Sequence, residues 1–273
     1  MKTVKSAWIF DVDGVITNPR EKKVTEPEIL DEIIKRLEKS ELVALNTGRS
    51  ISWVKDRVLN QLIEKIKDKK ILNNLLVVGE KGGTWIDFDE NGNLTENKDN
   101  DISVPDNLKN EIRNLISNKY SESMFYDESK LTMISTEMKD GYSLEDYREK
   151  QKVIYTEFKK MLNNESLSDK FKIDPTTIAT DIENIFVGKH FAIKRILKWV
   201  KSKGVEPQKY IALGDSFGSD IPMAEELNLQ GLPVEFIYVG KENIDVSKHP
   251  FPIKITQNKF EKGTLEFLKS HQP

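Results

Sequence analysis

The sequence has 273 residues, of which 37% are hydrophobic and 32% are charged, and its formal net charge is −3. This composition is typical of a globular protein, and it excludes an intrinsically disordered or membrane-spanning chain. The chain contains no cysteine, which excludes disulfide bonds and thiol catalysis.

The charge pattern and the first residues limit the partners and the location that we expect. Positive and negative charges are nearly balanced, so we expect no nucleic-acid partner. No segment indicates a membrane or a protein partner. An apolar run at 7–10 follows Met1 and Lys2 almost directly, and it is too short for a signal-peptide core. We therefore expect a cytoplasmic location.

The first part of the chain alternates between strand and helix patterns. The predicted elements are an apolar strand at 4–10, a helix near Pro27, a strand at 42–45, a helix at 51–66 and a strand at 75–78. This order predicts a parallel sheet. Residues 84–95 break the alternation, because Asn91-Gly92 favours a hairpin with a two-residue turn.

A different pattern occupies 99–187. Its predicted elements are a helix opened by Pro105, a strand at 131–138, a charged helix at 143–163, and strands at 171–178 and 182–187. The alternation then resumes, with helices at 190–203, 220–227 and 260–268 and strands at 210–213 and 235–239. The sequence therefore predicts an α/β fold with a doubly wound, mostly parallel, Rossmann-like sheet formed by 1–98 and 188–273, and an inserted α+β domain at 99–187.

Polar side chains follow the predicted strands at the points where the strands end. Asp11 and Asp13 follow the first strand, where alternate residues share a face and lie about 7 Å apart. The carboxyl ends of parallel strands lie at one edge of a sheet, so we expect the polar residues at later strand ends to join them. These residues are Thr47-Gly48-Arg49, Lys189, Gly214-Asp215 and Asp220.

The four segments resemble, in this order, the motifs of the haloacid-dehalogenase superfamily. They read Phe10-Asp11-Val12-Asp13-Gly14, Thr47-Gly48-Arg49, Lys189, and Gly214-Asp215-Ser216-Phe217-Gly218-Ser219-Asp220. The likeness spans the whole chain, and the inserted domain is similar to the large α+β cap of the branch rich in sugar phosphatases. Two features depart from that branch. Lys81 stands where its Glu-Asn-Gly segment usually has Asn, and one extra residue separates Asp215 from Asp220.

The resemblance implies a Mg²⁺-dependent phosphatase that acts on a small phosphorylated metabolite. By analogy with that branch, the expected substrate is a sugar phosphate or a related phosphomonoester. Asp11 would attack phosphorus and form an aspartyl phosphate, and Asp13 would protonate the leaving alkoxide and then activate water. Mg²⁺ would be held by Asp11, the carbonyl of Asp13 and Asp215, while Asp220 would hold a metal-bound water.

The resemblance also implies the substrate contacts. Thr47 and the backbone amide of Gly48 would bind phosphate oxygens, and Lys189 would oppose the developing negative charge. Arg49 would bind substrate or form a salt bridge that ties its loop to the scaffold. The cap would close over the substrate and set specificity.

Three other interpretations stay open. The Gly-x-Ser-x-Gly pattern centred on Ser216 also fits the nucleophile elbow of serine hydrolases, with Asp245 and His249 as further triad members. A phosphosugar mutase would use Asp11 but return the phosphoryl group to a second position. A non-catalytic sensor would bind ligand and Mg²⁺ without turnover. The histidines at 190, 249 and 271 are too scattered to predict a zinc site.

Overall fold

The computed structural model describes residues 2–273. Within this range the chain divides into two compact units. The first unit contains the described residues up to Asn97 together with Gly188–Pro273, and the second contains Lys98–Val187. None of the helices in the described range has the length and apolar character that a membrane crossing requires.

The strands and helices follow the alternation of the sequence closely. The strands are β1 (Lys2–Phe10), β2 (Leu42–Asn46), β3 (Leu75–Gly79), β4 (Thr84–Phe88), β5 (Leu94–Lys98), β6 (Met124–Tyr126), β7 (Ile134–Met138), β8 (Phe171–Pro175), β9 (Ala179–Asn184), β10 (Val205–Gly214), β11 (Val234–Tyr238) and β12 (Ile253–Ile255). The helices are α1 (Glu28–Glu38), α2 (Ile51–Val54), α3 (Asn60–Lys65), α4 (Asp106–Leu115), α5 (Leu144–Asn164), α6 (Lys189–Ser202), α7 (Phe217–Leu229) and α8 (Glu261–Ser270). A π-helical turn at Lys55–Leu59 joins α2 to α3.

The first unit is built on an eight-stranded sheet of order β12-β11-β10-β1-β2-β3-β4-β5. The strands from β12 to β3 pair in parallel, and β4 pairs antiparallel to β3. Strand β1 lies between β10 and β2, so its hydrogen bonds join segments from the two ends of the chain. This sheet is mostly parallel, as the sequence predicted.

Each face of this sheet carries an apolar core, because successive side chains of a strand point to opposite faces. On β1, Trp8 and Phe10 belong to one core, whereas Ala7 and Ile9 belong to the other. Residues of α1, α2, α3 and α8 complete the first core, and residues of α6 and α7 complete the second. Helices on both faces of a mostly parallel sheet make a doubly wound fold, so the predicted fold class is confirmed.

The hairpin between β4 and β5 has a longer turn than the sequence predicted. The N–H of Asp89 donates to the carbonyl of Asn93 at 3.1 Å, which leaves three residues in the loop. The last of these, Gly92, has a φ of +83°. Glycine at that position is typical of a three-residue hairpin loop, whereas a two-residue turn would use Asn91 and Gly92 as its central pair. The predicted two-residue turn is therefore wrong.

The second unit contains a four-stranded sheet of order β6-β7-β9-β8, in which all neighbours are antiparallel. Its core contains side chains from α4, α5 and the sheet, including Ile112, Phe158 and Ile182. The second unit therefore has an apolar core made of its own residues. Strand β6 in this unit and strand β12 in the first were not predicted, because three residues are too few to display a hydrophobic period.

Candidate active site

The predicted site residues come together at the carboxyl edge of the parallel sheet. Asp11 directly follows β1, and its N–H donates to the carbonyl of Leu213 on β10 at 3.0 Å. On the other side, Phe10 of β1 is in register with Leu45 of β2. The segment after β2, which begins with Thr47, and the segment after β10, which contains Asp215, therefore start at the same edge as Asp11.

A cluster of three carboxylates lies at the centre of this edge. Each of Asp11, Asp215 and Asp220 offers an oxygen within 4.8 Å of the other two. The ammonium of Lys189, at the start of α6, lies 2.7 Å from Asp11 Oδ1 and is also paired with Asp220 Oδ1. Asp11 is 5% exposed and Asp220 is fully buried. The extra residue between Asp215 and Asp220 has thus not removed Asp220 from the site.

Burial and mutual repulsion perturb the ionisation of this cluster. Burial raises the pKa of Asp11 well above its usual range; the charge of Lys189 opposes this rise, and the charge of Asp220 adds to it. Burial, followed by the charge of Asp220, raises the pKa of Asp215 to about 7. For Lys189, burial alone would lower the pKa, but the carboxylates of Asp11 and Asp220 raise it above its usual value. If all three carboxylates were ionised, the cluster would carry more negative charge than Lys189 offsets, and the raised pKa values reflect this imbalance.

This imbalance fits a divalent cation. Carboxylate oxygens are the ligands that hard cations prefer, and the oxygens of the cluster are close enough together to share one ion. A cation among them would lower the free energy of the ionised forms of Asp11 and Asp215, which burial otherwise disfavours. The residues present can therefore hold a divalent metal ion.

The carboxylate of Asp13 lies apart from the cluster, with other partners. Arg49 donates to it from Nε at 2.9 Å and from a terminal nitrogen at 3.2 Å, and Lys22 Nζ lies 3.3 Å from its Oδ1. Burial raises the pKa of Asp13, but the hydrogen bonds and charges of Arg49 and Lys22 outweigh it, and the net pKa is lowered. Of the two expectations for Arg49, the structure contains the salt bridge. The guanidinium also lies over the ring of Trp53, 4.9 Å from its centroid.

The loop after β2 is held by backbone contacts on both sides. Thr47 is buried, and its hydroxyl accepts a hydrogen bond from the N–H of Arg49 at 3.1 Å. The carbonyl of Thr47 accepts from the N–H of Lys81 at 3.0 Å, and the carbonyl of Arg49 accepts from the N–H of Glu80 at 2.9 Å. This network fixes the backbone on either side of Gly48.

Glycine is required where two segments of the site meet. Gly14 has a φ of +73°, and a Cβ on it would lie 2.1 Å from Oδ2 of Asp215. A Cβ on Gly214 would lie 2.3 Å from the Cβ of Asp220. At both places a side chain would displace a carboxylate of the cluster.

Sequence reasoning missed a buried residue that forms a hydrogen bond to the backbone of Lys189. Asn46, the last residue of β2, is fully buried, and its Nδ2 donates to the carbonyl of Lys189 at 3.2 Å. Among the described residues its Oδ1 has no hydrogen-bond partner. In the sequence, Asn46 could have been recognised as a site residue because it is a polar residue at the end of an apolar strand and directly precedes Thr47.

The structure does not form the serine triad that the sequence also allowed. The described contacts contain no hydrogen bond between Ser216 and His249 or between His249 and Asp245. His249 Nδ1 instead lies 3.7 Å from Oε1 of Glu225. Asp245 instead accepts hydrogen bonds from the N–H and hydroxyl of Ser247. The nucleophile-elbow interpretation lacks its geometry.

Comparison with known proteins gives a fold but no close relative. No protein-family profile matches the sequence, and no curated protein matches it significantly. Three solved structures illustrate the structural likeness. A haloacid dehalogenase-like hydrolase from Bacteroides thetaiotaomicron has a TM-score of 0.67 at 12% identity, over 98% of this chain and 99% of that one.

The other two carry more specific names. The C-terminal domain of trehalose-6-phosphate phosphatase from C. albicans has a TM-score of 0.63 at 15% identity, over 97% of this chain and 92% of that one. The ATP-bound IMP-nucleotidase from Plasmodium falciparum has a TM-score of 0.60 at 16% identity, over 97% of this chain and 60% of that one. At these identities the likeness shows a shared fold.

Proposed function

We propose that this chain, which has the fold of the haloacid-dehalogenase superfamily, is a phosphatase that hydrolyses a small phosphorylated metabolite through an aspartyl phosphate on Asp11. The observation that carries the proposal is the cluster of Asp11, Asp215 and Asp220 around Lys189. Phosphoryl transfer requires a nucleophile, positive charge against the phosphate oxygens and a group that moves protons. The edge of the sheet supplies candidates for all three.

Asp11 is the proposed nucleophile, and its Oδ2 is the oxygen left when Oδ1 pairs with Lys189. Attack on phosphorus would break the bond to the leaving oxygen and leave the phosphoryl group on Asp11. Lys189, Thr47 and the amide of Gly48 would bind phosphate oxygens. Mg²⁺ would be held by Asp11, Asp215 and the carbonyl of Asp13, and Asp220 would hold a water bound to the ion. When bound, the ion would neutralise negative charge on the phosphate.

Asp13 is the proposed proton carrier in both half-reactions. Paired with Arg49 and Lys22, it is held as a carboxylate. This form is suited to take a proton from the water that attacks the aspartyl phosphate. The protonated form, which the first half-reaction needs for the leaving alkoxide, requires that the pair with Arg49 be released.

We propose a sugar phosphate as the substrate class, supported by the trehalose-6-phosphate phosphatase among the structures of the same fold. The IMP-nucleotidase is a neighbour that acts on a nucleotide, so nucleotides belong in the test. We propose that the unit of Lys98–Val187 determines which leaving group is accepted.

The test is phosphate release from a panel of phosphorylated sugars, glycerates and nucleotides, by the wild type and by Asp11→Asn, with Mg²⁺ and with EDTA. We expect Mg²⁺-dependent release that falls by at least about a thousandfold in Asp11→Asn, because the nucleophile is lost. Activity that survives both EDTA and the substitution would contradict the mechanism. Isomerised product without free phosphate would instead identify a phosphosugar mutase.

A further inference from the structure

The turn at 80–83, between β3 and β4, has an unusual backbone. Glu80, Lys81 and Gly82 have φ angles of +49°, +55° and +109°. For residues with a side chain this region is strained, and Asn or Gly occupies it more readily than Lys. Strained residues that persist at the edge of a site are a reason to look for a function there.

The turn is packed between the two segments that carry the proposed phosphate contacts. On one side its N–H groups donate to the carbonyls of Thr47 and Arg49. On the other side the carbonyl of Lys81 accepts from the N–H of Gly188 at 3.2 Å, next to Lys189. A Cβ on Gly82 would lie 2.6 Å from the ring of Phe191 on α6. The turn therefore has a fixed position relative to both segments.

The side chain of Lys81 runs along Gly48. A Cβ built on Gly48 would lie 3.7 Å from both Cγ and Cε of Lys81, which is ordinary van der Waals contact. The ammonium is one bond beyond Cε, and Lys81 is partly exposed. The strained backbone thus directs a positive charge to the residue whose amide is a proposed phosphate ligand.

Lys81 is one of four cations near this edge of the sheet. Lys22 and Arg49 are paired with Asp13, and Lys189 is paired with Asp11 and Asp220. A phosphate dianion that enters beside these carboxylates adds negative charge to the site, and each further cation nearby lowers the cost of that charge. Lys81 adds a fourth cation on the side of the Thr47 loop.

We propose that Lys81 is a further phosphate-binding residue, whose ammonium contacts oxygens of the phosphoryl group bound at Thr47 and Gly48. The inference rests on the proposed function, since it concerns the same site. A phosphate contact would explain why a lysine occupies a position where its backbone is strained.

The test is the binding of inorganic phosphate in the presence of Mg²⁺, measured by calorimetry on the full chain. Lys81→Met keeps most of the aliphatic stem without the charge, Lys81→Asn suits the backbone angle, and Lys81→Arg keeps the charge. Lys39→Met is the matched control, because Lys39 is exposed and precedes β2 at the opposite edge of the sheet. Asp215→Asn tests whether the binding depends on the carboxylate cluster.

We expect the dissociation constant for phosphate to rise about tenfold or more in Lys81→Met and Lys81→Asn, as for loss of a charge-assisted hydrogen bond. Lys81→Arg and Lys39→Met should stay within about threefold of the wild type. Lys81→Asn should melt no lower than the wild type, because Asn tolerates this backbone angle better. Weaker binding in a variant that is as stable as the wild type would separate a ligand contact from a structural role.

Two results would overturn the inference, and they differ in what else they overturn. If the wild type binds phosphate, Asp215→Asn weakens the binding and both uncharged Lys81 variants bind as the wild type does, Lys81 is not a phosphate ligand and the proposed function stands. If the wild type binds no phosphate with Mg²⁺ present, the inference and the proposed phosphate site are both wrong.

Discussion

Asp215 shows how burial and one neighbour can set the pH dependence of a candidate metal site. Burial and the charge of Asp220 raise its pKa to about 7, from an ordinary value of 3.8. For a carboxyl whose pKa is raised in the folded state, the stabilisation is complete below the unfolded pKa and is lost as pH rises through the folded pKa. A bound cation requires the ionised form, so its contribution has the opposite dependence.

We therefore expect the metal-free protein to lose stability as pH rises from about 4 to about 7, where Asp215 is forced to ionise. The increase in Tm on adding Mg²⁺ should grow over the upper part of this range. Thermal unfolding between pH 5 and 8, with and without Mg²⁺, measures both effects. In Asp215→Asn the pH dependence should be weaker and the Mg²⁺ effect smaller. An increase in Tm that is the same at pH 6 and pH 8 would contradict this account.

Asp13 can be tested with a leaving group that needs no proton. In Asp13→Asn, p-nitrophenyl phosphate should still phosphorylate Asp11, because p-nitrophenolate leaves unprotonated. Hydrolysis of the aspartyl phosphate should slow by about 10²–10⁴-fold, as for loss of a general base. Rapid-mixing absorbance should then show a burst of p-nitrophenolate close to one equivalent of enzyme. A uniformly slow reaction without a burst would show that Asp13 is needed for the first step as well.

For the individual residues of the site, the sequence predicted which ones lie together but not which charged side chains form ion pairs. Asp11, Thr47, Lys189 and Asp215 could be placed together because each follows a strand end or begins a helix at one edge. The pairing of Asp13 with Arg49 and Lys22 could not be predicted. It depends on side-chain rotamers and on long cationic side chains that reach across the fold from separate loops.

Between elements, the close approach of the loop after β1 to the loop after β10 depends on a glycine. Gly14 and Gly231 have the same φ of +73°, but a Cβ on Gly14 would meet Asp215, whereas a Cβ on Gly231 would meet nothing within 4 Å. The two positions share the cost of a left-handed backbone and differ in the contact. They therefore make a matched pair.

We expect Gly231→Ala to cost about 1–2 kcal/mol of stability, from backbone strain alone. Gly14→Ala should cost more, and it should also move the Asp215 carboxylate and remove most of the stabilisation by Mg²⁺. Chemical denaturation of both variants with and without Mg²⁺ provides the comparison. Equal Mg²⁺ effects in the two variants would mean that Asp215 adapts and that Gly14 serves only the turn.

The hydrophobic period predicted most of these elements, because most of them are long enough to repeat it. The helical spacing of Ile29, Ile33 and Leu37 matches α1, whose buried face includes all three residues. The three-residue loop of the β4–β5 hairpin was missed because Asn-Gly favours more than one turn, and the choice depends on how the strands pair. A Cβ on Gly92 would also lie 2.2 Å from the Lys69 carbonyl oxygen, a tertiary contact that the local sequence does not reveal.

For the whole molecule, the second unit is continuous in sequence and has its own sheet and core. We expect the fragment Lys98–Val187 to fold alone, because its buried apolar side chains come from within the fragment. Circular dichroism should show a cooperative thermal transition, and its NMR spectrum should be well dispersed. A fragment without a transition would mean that this unit depends on the rest of the chain for its stability.

The first unit cannot form in the same way, because β1 lies between β2, a nearby segment, and β10, a distant one. During synthesis on the ribosome, β1 emerges long before β10 (Val205–Gly214) has been made. The edge of β1 that pairs with β10 therefore stays unpaired during that interval. The inserted unit emerges in that interval and can fold first. Because an unpaired strand edge can pair with another chain, the order of translation exposes this edge to incorrect pairing or to binding by a chaperone. Asp215 and Asp220 lie at or after the end of that late strand, so the proposed nucleophile, Asp11, is synthesised early and the candidate site is complete only late.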